Sequence, residues 1–89
     1  MQNRPPQQMH NPIDQLNGSI GNNILVRVKK TRLYSGKLLS FDQHLNLLLD
    51  DCTQIYEVEN DKSELVEERE NLGQILLRGD NVIFIEFGQ

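Results

Sequence analysis

The sequence predicts a mainly-β fold: a short N-terminal α-helix followed by five strands in a small, strongly bent antiparallel β-barrel. Three observations predict it. Apolar residues switch from helical spacing to a period of two at Ile24. Turn-forming residues then cut the chain into short runs. Gly36 stands inside the second run, where a small barrel has to bend.

The helix comes first. Asn11 suits its N-cap, Pro12 its first position and Gly18 its exit, and Ile13 and Leu16 lie three apart on one face. From Ile24, Val26 and Val28 alternate with Leu25, Arg27 and Lys29, which predicts a half-buried strand. Lys29-Lys30-Thr31 reads as the turn. A second strand is expected over roughly 32–42 and a third over roughly 45–57, with Leu45, Leu47 and Leu49 on one face. Two short strands close the chain, roughly 72–78 and 81–87, with Arg78-Gly79-Asp80-Asn81 as the turn between them. The run Val82–Ile85 is apolar on both faces, so it is expected to be buried on both sides, by the core and by a neighbour.

The 89 residues, 37% hydrophobic, make one small domain, for which assembly with further copies is a natural source of stability. Residues 1–10 read as a disordered Gln/Pro-rich tail, unlike a signal peptide, and residues 11–89 as the domain. No run approaches the roughly 18 apolar residues of a membrane helix. A cytoplasmic protein without membrane association is expected. The single cysteine, Cys52, makes neither an intrachain disulfide nor a metal cluster and reads as a small buried residue. No cofactor and no metal are expected.

Net charge is −4, which argues against a simple basic nucleic-acid binder, but the charge is not evenly spread. The segment 57–71 holds seven acids against two bases, a net of −5, so the remainder of the chain carries about +1. That stretch lies between the third and fourth strands. Two outcomes are open for it: a solvated loop, or an extension of both strands.

Two polar segments carry the chemistry. Asp42, His44 and Asn46 are spaced by two, so on a strand end they project to one side, away from Leu45 and Leu47. An amide can pair with a base edge, an imidazole can stack on a base and a carboxylate can orient the amide. Spacing alone leaves a merely polar strand end equally open. In Arg78-Gly79-Asp80-Asn81 the guanidinium can stack on a base or meet a phosphate. Taken singly, this segment reads as an ordinary turn with a solvated Arg78. Lys29, Lys30, Arg32 and Lys37 read mostly as a solvated face, and Tyr34 as a packing residue.

Both segments in order resemble the Sm/LSm family of RNA-binding proteins, in its archaeal-type form. The first family motif matches Ile24–Val28, Gly36, Phe41, Asp42, Leu45 and Asn46, within about 24–57; the second matches Ile75-Leu76-Leu77-Arg78-Gly79-Asp80-Asn81, within about 72–87. The likeness covers roughly residues 12–87. It implies the Sm fold, an SH3-like barrel, and a ring in which the fourth strand of one subunit pairs with the fifth of the next, by analogy a heptamer. It implies short uridine-rich single-stranded RNA at the central pore. His44 and Arg78 would sandwich a uracil, Asn46 would bond its edge, Asp42 would hold Asn46, the Gly79-Asp80 backbone would support the pocket, and Asp80 is a further candidate contact. A ring also lets an acidic subunit present a cationic pore, because each copy brings its own Arg78. The implied role is in RNA processing, stability or ribonucleoprotein assembly, with RNA-processing proteins as further candidate partners.

The turn 29–31 lacks the glycine or asparagine often found there, 57–71 is longer than in the most compact members, and Arg78-Gly79 argues against the bacterial Hfq branch. The alternative within the family is one subunit of a eukaryotic hetero-heptamer. Outside it stand a metal-dependent nuclease using Asp42 and His44, which lacks the converging carboxylates such a site needs, and a ring with no RNA ligand. No enzymatic activity is expected.

Overall fold

The structure is a computed structural model that describes residues 12–29 and 31–87. The tail 1–10, the Asn11 cap and Lys30 of the first turn lie outside the described residues. The chain runs from helix α1 (Pro12–Gly18) through strands β1 (Asn23–Lys29), β2 (Arg32–Phe41), β3 (Leu47–Glu59) and β4 (Leu65–Leu77), then a 3-10 turn over Gly79–Asn81, to β5 (Phe84–Phe87). The five strands form one antiparallel sheet in the order β4-β3-β2-β1-β5, which leaves β4 and β5 as its edges. The expected fold class holds.

The core follows from alternation. Ile24 and Val26 of β1, Leu38 of β2, Leu47, Leu49 and Cys52 of β3 and Leu77 of β4 are buried together, and Leu16 of α1 closes them over with 0% exposure. Each such aliphatic side chain contributes about 1.5–3 kcal/mol on burial. Burial and the neighbouring Asp51 carboxylate push the Cys52 thiol up to about 11, so it is neutral at physiological pH.

The sheet bends where pairing slips. The β2–β3 register shifts between Ser35 and Lys37, around Gly36. A Cβ on Gly36 would stand 3.1 Å from the Asp50 carbonyl oxygen and 3.2 Å from Cys52 Cα, both backbone atoms, so glycine is what lets the strands approach here. A second slip falls between Leu49 and Cys52, with Asp51 at φ 50° and Gly73 opposite Cys52 at φ 74°. It divides β4 into a barrel half, Gly73–Leu77, and an outer half, 65–71.

Of the two outcomes open for the charged segment 57–71, the structure shows the extension of both strands. β3 continues to Glu59, β4 begins at Leu65, and the two pair from Thr53↔Asn71 out to Glu59↔Leu65, forming a hairpin arm. The arm's turn is tied by Asn60, whose Oδ1 accepts the Lys62 N–H at 2.9 Å and the Glu64 N–H at 3.0 Å. In the single chain the run Val82–Ile85 leaves Ile83 60% and Phe84 49% exposed, the surface for which cover by a neighbour is expected. Both lie at the β5 edge, which has no further strand beside it among the described residues.

Candidate functional site

The register of β3 against β4 builds the site. Leu47 pairs with Leu77, so the residue before the one, Asn46, and the residue after the other, Arg78, are brought to the same end of the sheet. Buried leucines thus fix the relative position of two polar turns.

The first turn is Asp42–Asn46, between β2 and β3. Its residues do not continue a strand, contrary to the alternating arrangement expected from their spacing. Asp42 instead heads a closed turn: Oδ1 accepts the N–H of His44 at 2.9 Å and of Asn46 at 3.0 Å, and Oδ2 accepts Asn46 Nδ2 at 2.9 Å. The backbone closes it with Leu45 N–H to the Asp42 carbonyl (3.0 Å) and Asp42 N–H to the Asn46 carbonyl (3.2 Å). Leu45 takes a left-handed φ of 64°, which turns its side chain onto the core. The Asn46 side-chain donor, then the backbone N–H groups of Asn46 and His44, hold the Asp42 carboxyl below its ordinary range. The His44 imidazole is exposed and hydrogen bonds to nothing among the described residues.

The second turn is Arg78–Asn81. The Arg78 backbone is extended, with φ −82° and ψ 135°, and the next three residues make a 3-10 turn closed by Asn81 N–H to the Arg78 carbonyl at 3.0 Å. Arg78 and Asp80 are both exposed and touch through a 3.3 Å ion pair, worth little in water. The guanidinium is therefore available to a ligand at small cost.

Asn46 joins the two turns. Its Oδ1 accepts the Gly79 N–H at 2.8 Å while its Nδ2 is held by Asp42. The amide is fixed in orientation yet keeps one N–H and one lone pair free, enough for a donor–acceptor pair with a planar base edge. A Cβ on Gly79 would overlap the His44 carbonyl oxygen, so only glycine lets the turns close on each other. The structure brings Asp42, His44, Asn46, Arg78, Gly79 and Asp80 to one place. Beside the second turn opens a cavity of about 530 Å³ lined by residues that include Val28, Tyr34, Leu77, Asp80 and Val82.

Arg32 is more than part of a solvated face: it is half-buried, its Nη1 donates to Gln54 Oε1 at 2.8 Å, and its guanidinium lies 5.3 Å from the Tyr56 ring centroid. Gln54 also accepts the Tyr34 hydroxyl at 3.2 Å and donates to Glu70 at 3.1 Å. The bulge between Leu49 and Cys52 reverses the alternation of Leu47 and Leu49 and turns Gln54 inward, which nothing in the sequence marks. Among the described residues no group of three His, Cys, Asp or Glu could hold a metal ion, and no helix is long and apolar enough to cross a membrane.

Residues 14–87 match the LSM domain model. An Sm-like protein of Thermococcus sibiricus is 38% identical over 74 residues, covering 83% of this chain and 87% of its own. One of Methanosarcina barkeri is 34% identical, covering 83% and 92%. Among solved structures, the Pyrococcus abyssi Sm protein in complex with a uridine heptamer superposes with a TM-score of 0.71 at 33% identity, over 89% of this chain and 100% of that one. A heptameric archaeal Sm protein superposes with a TM-score of 0.67 at 34% identity, over 85% and 98%. With its helix, bent five-stranded sheet and paired turns, the chain belongs to the LSM domain family.

Proposed function

We propose that this chain closes into a ring, seven copies by likeness to its relatives, and that the ring binds uridine-rich single-stranded RNA at its pore. The observation that carries the reading is the Asn46 amide clamped between Asp42 and Gly79, with exposed His44 and Arg78 beside it. A uracil enters between the imidazole and the guanidinium as flat partners, and the free N–H and lone pair of Asn46 meet its edge. Asp42 holds the amide, and the Gly79-Asp80 backbone supports the pocket. Stacking is worth about 1–3 kcal/mol per base, so several such pockets on one strand add to useful affinity.

The edges supply the ring contact. β4 and β5 end the sheet, and Leu76 (64% exposed), Ile83 and Phe84 display apolar surface along them. Pairing β4 of one copy with β5 of the next covers that surface and removes both unpaired edges. The reading is of a cytoplasmic binding module for RNA processing or ribonucleoprotein assembly, with no catalytic step.

Binding of labelled oligo(U) and oligo(C) by the purified chain tests it. Preference for oligo(U), weakened about ten-fold or more by His44→Ala and by Arg78→Ala with the fold unchanged, is the expected result. Equal affinity for both oligomers, or variants that bind as the parent does, would overturn the assignment of the pocket.

A further inference from the structure

The two edges of the sheet do not match in length. β5 offers the four residues Phe84–Phe87, whereas β4 runs thirteen, Leu65–Leu77. The bulge at Gly73, whose N–H is taken by Asn71 Oδ1 at 3.0 Å, separates the apolar barrel half of β4 from its acidic outer half. A neighbouring β5 on the barrel half leaves the outer half, residues 65–71, with one paired side and one free side. That step alone rests on the ring proposed above; in a lone chain no other strand among the described residues pairs with the same edge.

The free edge has a defined character. On one face of the arm Val58 stands directly opposite Val66, 37% and 36% exposed, with Tyr56 opposite Glu68 next along. On the other face Glu57 stands directly opposite Glu67, a like-charge pair that disfavours the hairpin. Arg69 answers part of this through its 2.9 Å bond to Glu67, but both side chains remain more than half exposed. The segment 57–71 still carries a net −5.

We infer that the outer edge of β4, residues 65–71, is a docking edge for an extended lysine- or arginine-bearing segment of a partner protein, which adds to the sheet as a further strand. The unpaired N–H and C=O groups supply backbone bonds, Val66 receives an apolar side chain, and Glu67 and Glu68 receive cations on opposite faces. A cation on the Glu57–Glu67 face also relieves a repulsion already built into the arm. The same charge excludes two other occupants: a second copy's arm would set −5 against −5, and RNA would meet like charge. The arm is then a protein-binding element displaced along β4 from the RNA turns, so a ring can hold both partners at once.

The test uses the full chain and a short acetylated peptide centred on Val-Lys-Lys, which sets one lysine on each face of the added strand. Titration should show saturable, salt-sensitive binding, with oligo(U) affinity and assembly mass unchanged. The same peptide N-methylated at alternate residues, which keeps its charge but loses backbone donors, should bind about ten-fold more weakly or not at all. A Glu57→Gln, Glu67→Gln, Glu68→Gln variant should lose about ten-fold while still forming rings that take up oligo(U). Rings that bind oligo(U) but ignore the peptide at millimolar concentration would overturn the inference. So would equal binding of the N-methylated peptide, or a doubled mass from arm-to-arm pairing. Failure of the ring or of RNA binding shows in the mass and oligo(U) readings instead, and bears on the earlier proposal.

Discussion

Asn46 and Gly79, thirty-three residues apart, are joined by a 2.8 Å hydrogen bond from the Gly79 N–H to the Asn46 side-chain oxygen. The bond ties the β2–β3 turn to the β4–β5 turn, and Asp42 holds the other end of the same amide. The proposed base recognition and local stability therefore share one side chain.

Asn46→Ala should cost stability as well as binding. It leaves the part-buried Gly79 N–H without its acceptor, a loss of about 1–3 kcal/mol. Denaturant unfolding of the variant should show that loss, and oligo(U) binding should fall with it. Unchanged stability would mean the two turns hold together without this bond.

Gly79→Ala should act through space, not through φ. The added methyl collides with the His44 carbonyl oxygen, so one turn has to move. Overpacking of this kind costs about 1–3 kcal/mol. Oligo(U) binding should drop more steeply than in Asp80→Ala, which removes only an exposed ion-pair partner.

Acid should open the first turn late. The folded Asp42 carboxyl titrates below its ordinary value of 3.8. A group depressed in this way contributes stability that is present above the unfolded value and is lost as pH falls through the folded one. The Asn46 side-chain amide resonances should therefore report an acid transition whose midpoint lies below 3.8. In Asp42→Asn that acid transition should be absent; a midpoint above 3.8 would contradict the hydrogen-bonded carboxylate.

Leu76→Lys and Ile83→Lys test the edges. Both positions are more than half exposed in the single chain, so each change should alter intrinsic stability by only about 0.5 kcal/mol. The assembly mass should nevertheless collapse, because each puts a charge in the proposed subunit contact. Sedimentation velocity beside circular dichroism separates the two effects.

Much of this was legible in the residues. Ile24, Val26 and Val28 announce a strand by alternation, Gly36 marks the bend, and Ile13 with Leu16 give the helix its inward face. Asp42–Asn46 was harder. A spacing of two among polar residues reads as a strand, yet an Asp at the head of a five-residue turn makes the same pattern by hydrogen bonding to the chain ahead of it. Asn60–Glu64 repeats that turn: Asn60 accepts from Lys62 and Glu64 as Asp42 does from His44 and Asn46, and Ser63 matches Leu45 in left-handed φ. The outer half of β4 stays open between loop and strand in the sequence because Glu67-Glu68-Arg69-Glu70 has no apolar alternation; its pairing comes from β3 across the hairpin. For Ile83 and Phe84 the apolar run spoke for burial, but only a second chain can provide it.

The most direct test of the central claim is mass by light scattering on the purified chain, with and without a short oligo(U), repeated for Asn46→Ala. The account predicts a mass near seven protomers that takes up oligo(U), and a variant that no longer does. A monomer that ignores oligo(U) would contradict a self-assembled ring with a uridine pocket.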